Sequence, residues 1–369
     1  MILNYIVNIR FAFLGKPVFE LKIMAGFNEC TRVQVPAALH LCRLGYTYFA
    51  EYGEGTPVGR LNKHNNVLID EFFKALVRLN PEQKLHNLEI FMKFVLSKLG
   101  SDDLGREFYQ VLSSNSGIKL IDFENPENNS WFVTTELPCE NQETGDNFRP
   151  DITCFVNGLP LAFIEVKKPN NAEGIVAEQS RTNQNRLPNK SFRRFLNITQ
   201  LMIFSNNQEY DNANRVPVQG AFYACIGKEK AFFNVFREED EKFGQKYPYQ
   251  DVSENTEKLI LKHRNCVSLK CHPEYATNCK VTTPTNRILT SLLSKERFLF
   301  LLRYGFAYVE KTVEKDNGEK IKTLEKHVMR YQQLFASFAI RKKLDEDVKS
   351  GIIWHTQGSG KSLSMVFFA

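Results

Sequence analysis

The stretch that decides the fold is RPDITCFVNGLPLAFIEVKKPN, residues 149–170. Two short runs rich in β-branched and aromatic residues, ITCFV and LAFIEVK, lie on either side of Asn157-Gly158, a dipeptide typical of tight hairpin turns. The stretch therefore predicts two antiparallel strands. Alternation along the second strand places Glu165 and Lys167 on one face and turns Val166 toward the core.

This hairpin can bring two acidic side chains together only in one register. Residues directly opposite each other share a face, so Asp151 joins Glu165 only if the turn is centred on Gly158. A two-residue turn would pair Asp151 with Ile164 instead and turn its side chain away from Glu165. We therefore predict an odd-length loop or a β-bulge in this hairpin.

Converging carboxylates at this position point to metal chemistry. They are hard oxygen ligands suited to Mg²⁺, which can activate water and offset negative charge at a phosphodiester. The Lys167 ammonium would stabilise the hydroxide or the developing phosphorane. The alternative is a surface ion pair, because a glutamate and a lysine two residues apart are common at strand ends. Pro150-Asp151, its spacing to Glu165 and the apolar strand between them favour the metal site.

The segment that follows the hairpin is basic. Residues 179–208 contain no acidic side chain, which suits contact with a DNA phosphate backbone, while a solvated loop has the same composition. The candidate backbone contacts are Arg181, Arg186, Lys190, Arg193 and Arg194, with Phe192 and Phe195 between them.

A second constellation, HTQGSGKS at residues 355–362, follows an apolar run. A strand, a glycine-rich turn and a helix start present backbone N–H groups to the phosphates of ATP. His355 replaces the first glycine of the usual pattern. Upstream, RYQQLFA at residues 330–336 resembles the adenine-reading Q-motif of superfamily 2 helicases. The predicted nucleotide-binding residues are Gln333, Thr356, Gly358, Ser359, Gly360, Lys361 and Ser362, of which Lys361 would reach the β/γ-phosphates and Ser362 would bind Mg²⁺.

The rest of the sequence predicts an α/β protein. Apolar residues at helical spacing predict helices within residues 31–46, 67–79 and 85–99, and later within 288–302 and 330–344. Between them, short runs predict strands: IKLIDF, WFVTTEL, ITCFV, LAFIEVK, LMIFS, AFYACI and FFNVF. A polar, charged stretch at residues 238–258 indicates a domain boundary.

The composition is that of a globular protein. The 369 residues suggest two or three domains, and 43 % hydrophobic with 24 % charged residues exclude a disordered chain. A net charge of +6 permits an anionic partner without requiring one. No apolar run reaches the roughly 20 residues of a membrane span. The eight scattered cysteines favour reduced thiols and a cytoplasmic location.

The hairpin followed by a phosphate loop resembles the R (restriction and translocation) subunit of type I restriction enzymes, with its PD-(D/E)xK nuclease and superfamily 2 motor. Further shared stretches are RLGY, GIKLIDFENPENNSWFV, LMIFSNN, SLLSKERFLFLL and MRYQQLFA. The resemblance implies a restriction-endonuclease-like mixed sheet flanked by helices, followed by the beginning of a RecA-like P-loop domain. It implies Mg²⁺-dependent cleavage of double-stranded DNA, ATP-driven DNA translocation, and methyltransferase and specificity subunits as partners.

Carried over residue by residue, Asp151 and Glu165 would be the metal-binding carboxylates and Lys167 the catalytic lysine. Family members carry a QxxxY motif in the next helix. Gln179 and Gln184 are the candidates for this supporting role, although neither has a tyrosine four residues on.

Two further expectations concern the helices near the site. Pro188 follows Gln184 closely, so the helix that carries these glutamines is expected to be distorted. Related nucleases often place a glutamate on the first helix, and the matching position here is Gln34.

The resemblance also divides the chain. The predicted parts are an appendage at 1–23 with an alternative start at Met24, a nuclease domain with a helical insertion at 24–245, a linker or helical connector at 246–325, and a truncated start of the motor at 326–369. Because the sequence stops shortly after Lys361, we expect a truncated or interrupted motor that neither hydrolyses ATP nor translocates alone. DNA-stimulated ATPase activity of the 369-residue chain would contradict this expectation.

Two other functions fit the same residues. The chain could be a DNA-binding or subunit-docking module in which the hairpin is only structural, and retained DNA binding with lost cleavage in Lys167→Ala would argue against that. It could also be a repair or recombination nuclease–helicase. Co-purification with a methyltransferase and a specificity subunit would argue against this alternative.

Overall fold

The structure of the chain is a computed structural model that describes residues 28–114, 117–140, 147–169, 174–209, 221–226, 230–240, 242–314, 318, 320–348, 350–352 and 354. The strands are β1 Thr47–Tyr48, β2 Leu61–Asn62, β3 Val67–Leu68, β4 Trp131–Thr135, β5 Cys139–Glu140, β6 Asn147–Phe148, β7 Ile152–Val156, β8 Leu159–Val166, β9 Leu201–Ser205, β10 Ala221–Ile226, β11 Lys230–Val235, β12 Phe306–Glu314 and β13 Lys320–Val328.

The α-helices of the described residues come before, between and after the strands along the chain. They are α1 Val35–Arg43, α2 Ile69–Leu79, α3 Leu85–Lys98, α4 Arg106–Leu112, α5 Gly174–Arg181, α6 Arg193–Ile198, α7 Phe243–Lys246, α8 Glu254–His263, α9 Pro273–Asn278, α10 Pro284–Leu293, α11 Lys295–Tyr304 and α12 Tyr331–Asp345. Two π turns, Cys30–Gln34 and Thr182–Arg186, directly precede α1 and follow α5.

One mixed sheet organises the described strands. Its hydrogen-bonded order is β1-β4-β7-β8-β9-β10-β13-β12, with β11 added to β10. The pairs β1–β4 and β8–β9 are parallel, and the other pairs in this sheet are antiparallel. Because β8 and β9 run parallel, the chain between them must cross over the sheet, and this crossover contains α5 and α6. The predicted mixed sheet flanked by helices is thereby confirmed.

Most predicted strands are confirmed, but IKLIDF is wrong. Residues 118–123 form no strand, because side chains rather than a neighbouring strand satisfy their backbone. Asn80 Oδ1 accepts the Lys119 N–H, Asn129 Oδ1 accepts the Asp122 N–H, and Asn157 Nδ2 donates to the Leu120 carbonyl. Asp and Asn compete with strand formation in this way.

The predicted helices are confirmed, with two refinements. The first begins as a π turn and continues as α1, whose residues from Val35 to Cys42 are all buried. The helix predicted within 288–302 is two helices, α10 and α11, separated by the extended backbone of Ser294 at ψ 139°. None of the helices in the described part of the chain is both long and apolar enough to cross a bilayer.

The apolar core continues across the polar stretch at 238–258. One cluster of buried residues includes Leu41 of α1, Ile164 of β8, Leu261 of α8 and Leu289 of α10. Helix α1 packs against both α8 and α10. The region predicted as a connector at 246–325 therefore shares its core with the sheet.

The turn between β7 and β8 is anchored on both sides. Asn157 and Gly158 have φ angles of 52° and 78°, as a type I′ turn requires. Asn157 Oδ1 accepts the Ser130 N–H at 2.9 Å and Arg78 Nη2 at 3.0 Å. Gly158 lies against the start of α2, where an added Cβ would be 2.6 Å from Phe72 N.

We expect Gly158→Ala to lower the free energy of unfolding more than Gly55→Ala does. Gly55 has a similar φ of 84°, but an added Cβ there meets no atom within 4 Å. Both variants place a side chain at a positive φ, which strains the backbone. Only Gly158→Ala also forces α2 away from the turn, which lowers the free energy of unfolding by a further amount of about 1–3 kcal/mol. Urea unfolding of the two variants measures the difference. Equal destabilisation would contradict the close contact between the turn and α2.

Candidate active site

The β7–β8 hairpin contains both the two-residue turn and the predicted bulge. Val156 pairs with Leu159 across the turn, but the register shifts between Cys154 and Phe155, so that Leu161 has no partner and Ile152 pairs with Ile164. Pro160, which has no N–H to contribute to a ladder, lies next to this irregularity.

The bulge decides where Asp151 points. Continuing the register by one residue beyond Ile152 and Ile164 sets Asp151 opposite Glu165, on the same face. The expectation of a bulge is thus confirmed, and it coexists with the tight turn that Asn157-Gly158 predicts.

Hydrogen bonds fix the Asp151 carboxyl group. Its Oδ2 accepts the Val166 backbone N–H at 2.7 Å, and Gln34 Nε2 lies 3.4 Å from its Oδ1. Burial raises the pKa of Asp151 to about 7, against the lowering effects of the Val166 N–H and of Lys167. Gln34, the position matched to the family's helix glutamate, therefore lies at the site as a neutral donor.

Glu165 is almost completely buried, with 3 % of its surface exposed. Burial raises its pKa well above the ordinary value, although Arg186 nearby acts in the opposite direction. Arg186 Nη2 lies 3.3 Å from Glu165 Oε1, and that oxygen has no hydrogen-bond partner among the described residues. This oxygen therefore has an ion pair with Arg186 but accepts no hydrogen bond from the described residues.

Lys167 is held by carboxylates. Its Nζ lies 3.3 Å from Glu178 Oε1 and 3.1 Å from Glu29 Oε1, and it donates to the Val166 carbonyl at 3.0 Å. Burial alone would lower the pKa of Lys167, but Glu178, Asp151 and Glu29 outweigh it and the pKa is raised. The side chain is therefore an ammonium ion at neutral pH.

Glu178, which the sequence analysis missed, connects the cations of the site. It is 1 % exposed and lies within 3.3 Å of Lys167, 2.8 Å of Arg181 and 3.2 Å of Arg186. The spacing in the sequence could have indicated that Glu178 is buried, because it shares a helix face with Ile175 and Thr182, which are both buried. A carboxylate on the buried face of a helix needs cationic partners.

The distorted helix predicted before Pro188 is confirmed as the π turn Thr182–Arg186. A π turn takes in one residue more than an α turn, so it rotates the residues that follow it. Here Arg186 reaches the same side as Glu178 and its guanidinium stacks 4.2 Å from the centre of the Phe148 ring.

The predicted DNA-contacting residues differ in how far their side chains are exposed. Arg186 is buried between Glu165 and Glu178, so the structure does not agree with its assignment to the DNA backbone. Arg193 is partly exposed beside Asp102 at 3.5 Å. The exposed members are Arg181, Lys190 and Arg194.

Among the described residues, the two glutamines predicted to support catalysis make no direct hydrogen bond with the site. Gln184 is exposed and Gln179 is half-buried, and within the described part of the chain no hydrogen bond joins either to Asp151, Glu165 or Lys167. Their catalytic role stays a prediction.

Most of the residues predicted to bind a nucleotide lie outside the described part of the chain. Thr356, Gly358, Ser359, Gly360, Lys361 and Ser362 lie outside the described residues. Gln333 is 3 % exposed and its Oε1 accepts the Arg330 backbone N–H at 2.9 Å, which caps its own helix α12.

Metal ligands at the site would come from two side chains. Asp151 and Glu165 offer carboxylate oxygens on one face, and Mg²⁺ typically completes its shell with water. Among the described residues, no group of three or more His, Cys, Asp or Glu side chains is placed to hold a metal ion. A metal here would therefore depend on these two carboxylates.

Comparison with known proteins places the chain in a family. A family model of the type I restriction enzyme R protein N terminus matches residues 26–212, which include the whole hairpin and α5. The chain belongs to this family. A second family model, for SWI2/SNF2 ATPases, matches residues 332–369.

Curated relatives of this R-protein N terminus carry corresponding names. The MjaIXP endonuclease subunit of a type I restriction enzyme from Methanocaldococcus jannaschii is 24 % identical over 94 % of this chain and 32 % of its own length. The HindI endonuclease subunit of a type I restriction enzyme from Haemophilus influenzae is 23 % identical over 88 % of this chain and 28 % of its own length. The chain thus spans about a third or less of these relatives.

The raised pKa of Asp151 predicts how stability depends on pH without metal. Between its ordinary value of 3.8 and about 7, native Asp151 keeps a proton that the unfolded chain has released. The free energy of unfolding therefore falls as pH rises through this range. Asp151→Asn retains an oxygen for the Val166 N–H but cannot titrate. The free energy of unfolding of this variant should therefore fall less steeply with pH than that of wild type.

Urea unfolding in EDTA between about pH 5 and about pH 8 measures both slopes. Asp70→Asn is the matched control, because Arg60 lowers the pKa of that partly exposed carboxyl and it does not titrate in this range. Equal slopes in wild type and Asp151→Asn would contradict the burial of a protonated Asp151.

Proposed function

We propose that this chain carries the DNA-cleaving module of a type I restriction enzyme R subunit, a Mg²⁺-dependent endonuclease acting on double-stranded DNA. The observation that carries the proposal is the bulge at Leu161, because it sets Asp151 and Glu165 on one face at the end of β8, two residues from the charged Lys167. Family membership supports the same function.

The residues of the site fit a divalent ion. Four carboxylates, those of Glu29, Asp151, Glu165 and Glu178, face the cations of Lys167, Arg181 and Arg186. If all are ionised, one negative charge is left over, and Glu165 Oε1 lacks a hydrogen bond. Mg²⁺ bound by Asp151 and Glu165 would activate water and offset the charge of the phosphodiester.

The protein's own groups prepare the reaction. The Val166 N–H orients Asp151, so that its remaining oxygen can face the ion. Glu178 and Glu29 hold the Lys167 ammonium in place, and such a fixed positive charge stabilises the additional negative charge that develops on the phosphate oxygens. The exposed Arg181, Lys190 and Arg194 would contact the DNA backbone beside the site.

ATP and partner subunits belong to the same proposal. The phosphate-loop sequence at residues 355–362 and the SWI2/SNF2 match support an ATP-driven motor that begins there, with ATP on Lys361 and Mg²⁺ on Ser362. Methyltransferase and specificity subunits would complete the complex, and the specificity subunit would read the DNA sequence.

Cleavage of plasmid DNA by the reconstituted three-subunit complex tests the nuclease. With Mg²⁺ and ATP, we expect Asp151→Ala and Lys167→Ala to lower the cleavage rate by roughly two to three orders of magnitude, since each removes a group that acts on the reacting phosphate. DNA binding, measured by gel shift, should persist in both variants.

Lys258→Ala is the matched control, because Lys258 lies on the surface and pairs only with Glu254 in the described residues, at 3.2 Å. This variant should cut like wild type. Full cleavage by Asp151→Ala would overturn the nuclease assignment, and full cleavage by Lys167→Ala with retained DNA binding would favour a docking module in which the hairpin is only structural.

A further inference from the structure

Gln34 connects Asp151 of the candidate nuclease site with Arg264, which lies 230 residues further along the chain. Its Nε2 donates to the Asp151 carbonyl at 3.0 Å and lies 3.4 Å from Asp151 Oδ1. Its Oε1 accepts Arg264 Nε at 3.1 Å. An amide side chain has one accepting oxygen and one donating nitrogen, so the bond from Arg264 determines that the nitrogen faces Asp151.

Glu136 completes the arrangement. Its Oε1 accepts both Arg264 Nη2 at 3.1 Å and Gln34 Nε2 at 3.0 Å, and its backbone N–H donates to the Asp151 carbonyl at 3.2 Å. The backbone of Glu136 has a φ of 55°, a left-handed conformation that is uncommon for a residue other than glycine. Backbone held in such a conformation is typical of functional sites.

Arg264 comes from outside the nuclease segment. It is the C-cap residue of α8, whereas the R-protein family model ends at residue 212. Its side chain is 19 % exposed, so its two bonds are largely protected from water. Among the described residues, Arg264 is therefore a contact from the connector region to the residues that hold Asp151.

We propose that Arg264 is a positioning residue for Asp151, acting through Gln34, and that α8 is consequently a working part of the nuclease site. The proposal rests on the proposed function. Without Arg264, Gln34 Oε1 loses its donor and Glu136 loses its cation, so the amide that donates to the Asp151 carbonyl is no longer held from both ends. The orientation of Asp151 as a metal ligand is then lost.

Mn²⁺ binding to the purified chain, measured by calorimetry, tests the proposal without relying on cleavage. We expect Arg264→Met to weaken Mn²⁺ binding by about tenfold, the lower end of what loss of a residue behind a metal ligand costs. Gln34→Ala should weaken binding similarly. The double variant should bind like Gln34→Ala alone, because both substitutions interrupt one chain of contacts.

Lys258→Met on the same helix is the control and should bind Mn²⁺ like wild type, and thermal unfolding verifies that each variant is folded. Unchanged affinity in Arg264→Met, or an additive loss in the double variant, overturns the role of Arg264 while wild-type binding upholds the proposed function. If wild type and Asp151→Ala both fail to take up Mn²⁺, the proposed function is overturned and this inference with it.

Discussion

Side chains on a strand alternate strictly between two faces, and the whole candidate site depends on how one hairpin meets that constraint. The tight turn at Asn157-Gly158 would by itself send Asp151 and Glu165 to opposite faces. The unpaired Leu161 adds one residue to β8 and reverses the outcome for everything beyond it. The convergence of Asp151 with Glu165, on the strand face that also carries Lys167, follows from that single extra residue.

Burying so many charges is costly unless they compensate one another. Glu178 achieves this compensation from the crossover helix, since it contacts Lys167, Arg181 and Arg186. The π turn after α5 brings Arg186 back toward the sheet, where it also meets Glu165. The segment that looked in the sequence like a uniformly basic surface is thus divided, with one arginine inside the site and others facing outward.

Local patterns predicted the sheet, and the geometry of pairing predicted the bulge, because both depend on residues close in sequence. The strand predicted at residues 118–123 was wrong because Asn80, Asn129 and Asn157 supply side-chain partners to that backbone, a tertiary effect. The roles of Glu178 and Arg264 were not predicted, since the contact of Arg264 with Gln34 spans 230 residues. The phosphate-loop residues lie outside the described part of the chain, so they stay a prediction.

The apolar core that continues from α1 to α10 limits how the segment with the candidate nuclease site can be shortened. A fragment cut at the polar stretch near residue 245 would leave α1 without α8 and α10, the two helices that shield it from water. Because α1 is apolar on nearly every side, the shortened polypeptide would expose an apolar surface to water and would self-associate. The smallest fragment that keeps the candidate site stable therefore extends beyond residues 26–212, the segment that the family model matches.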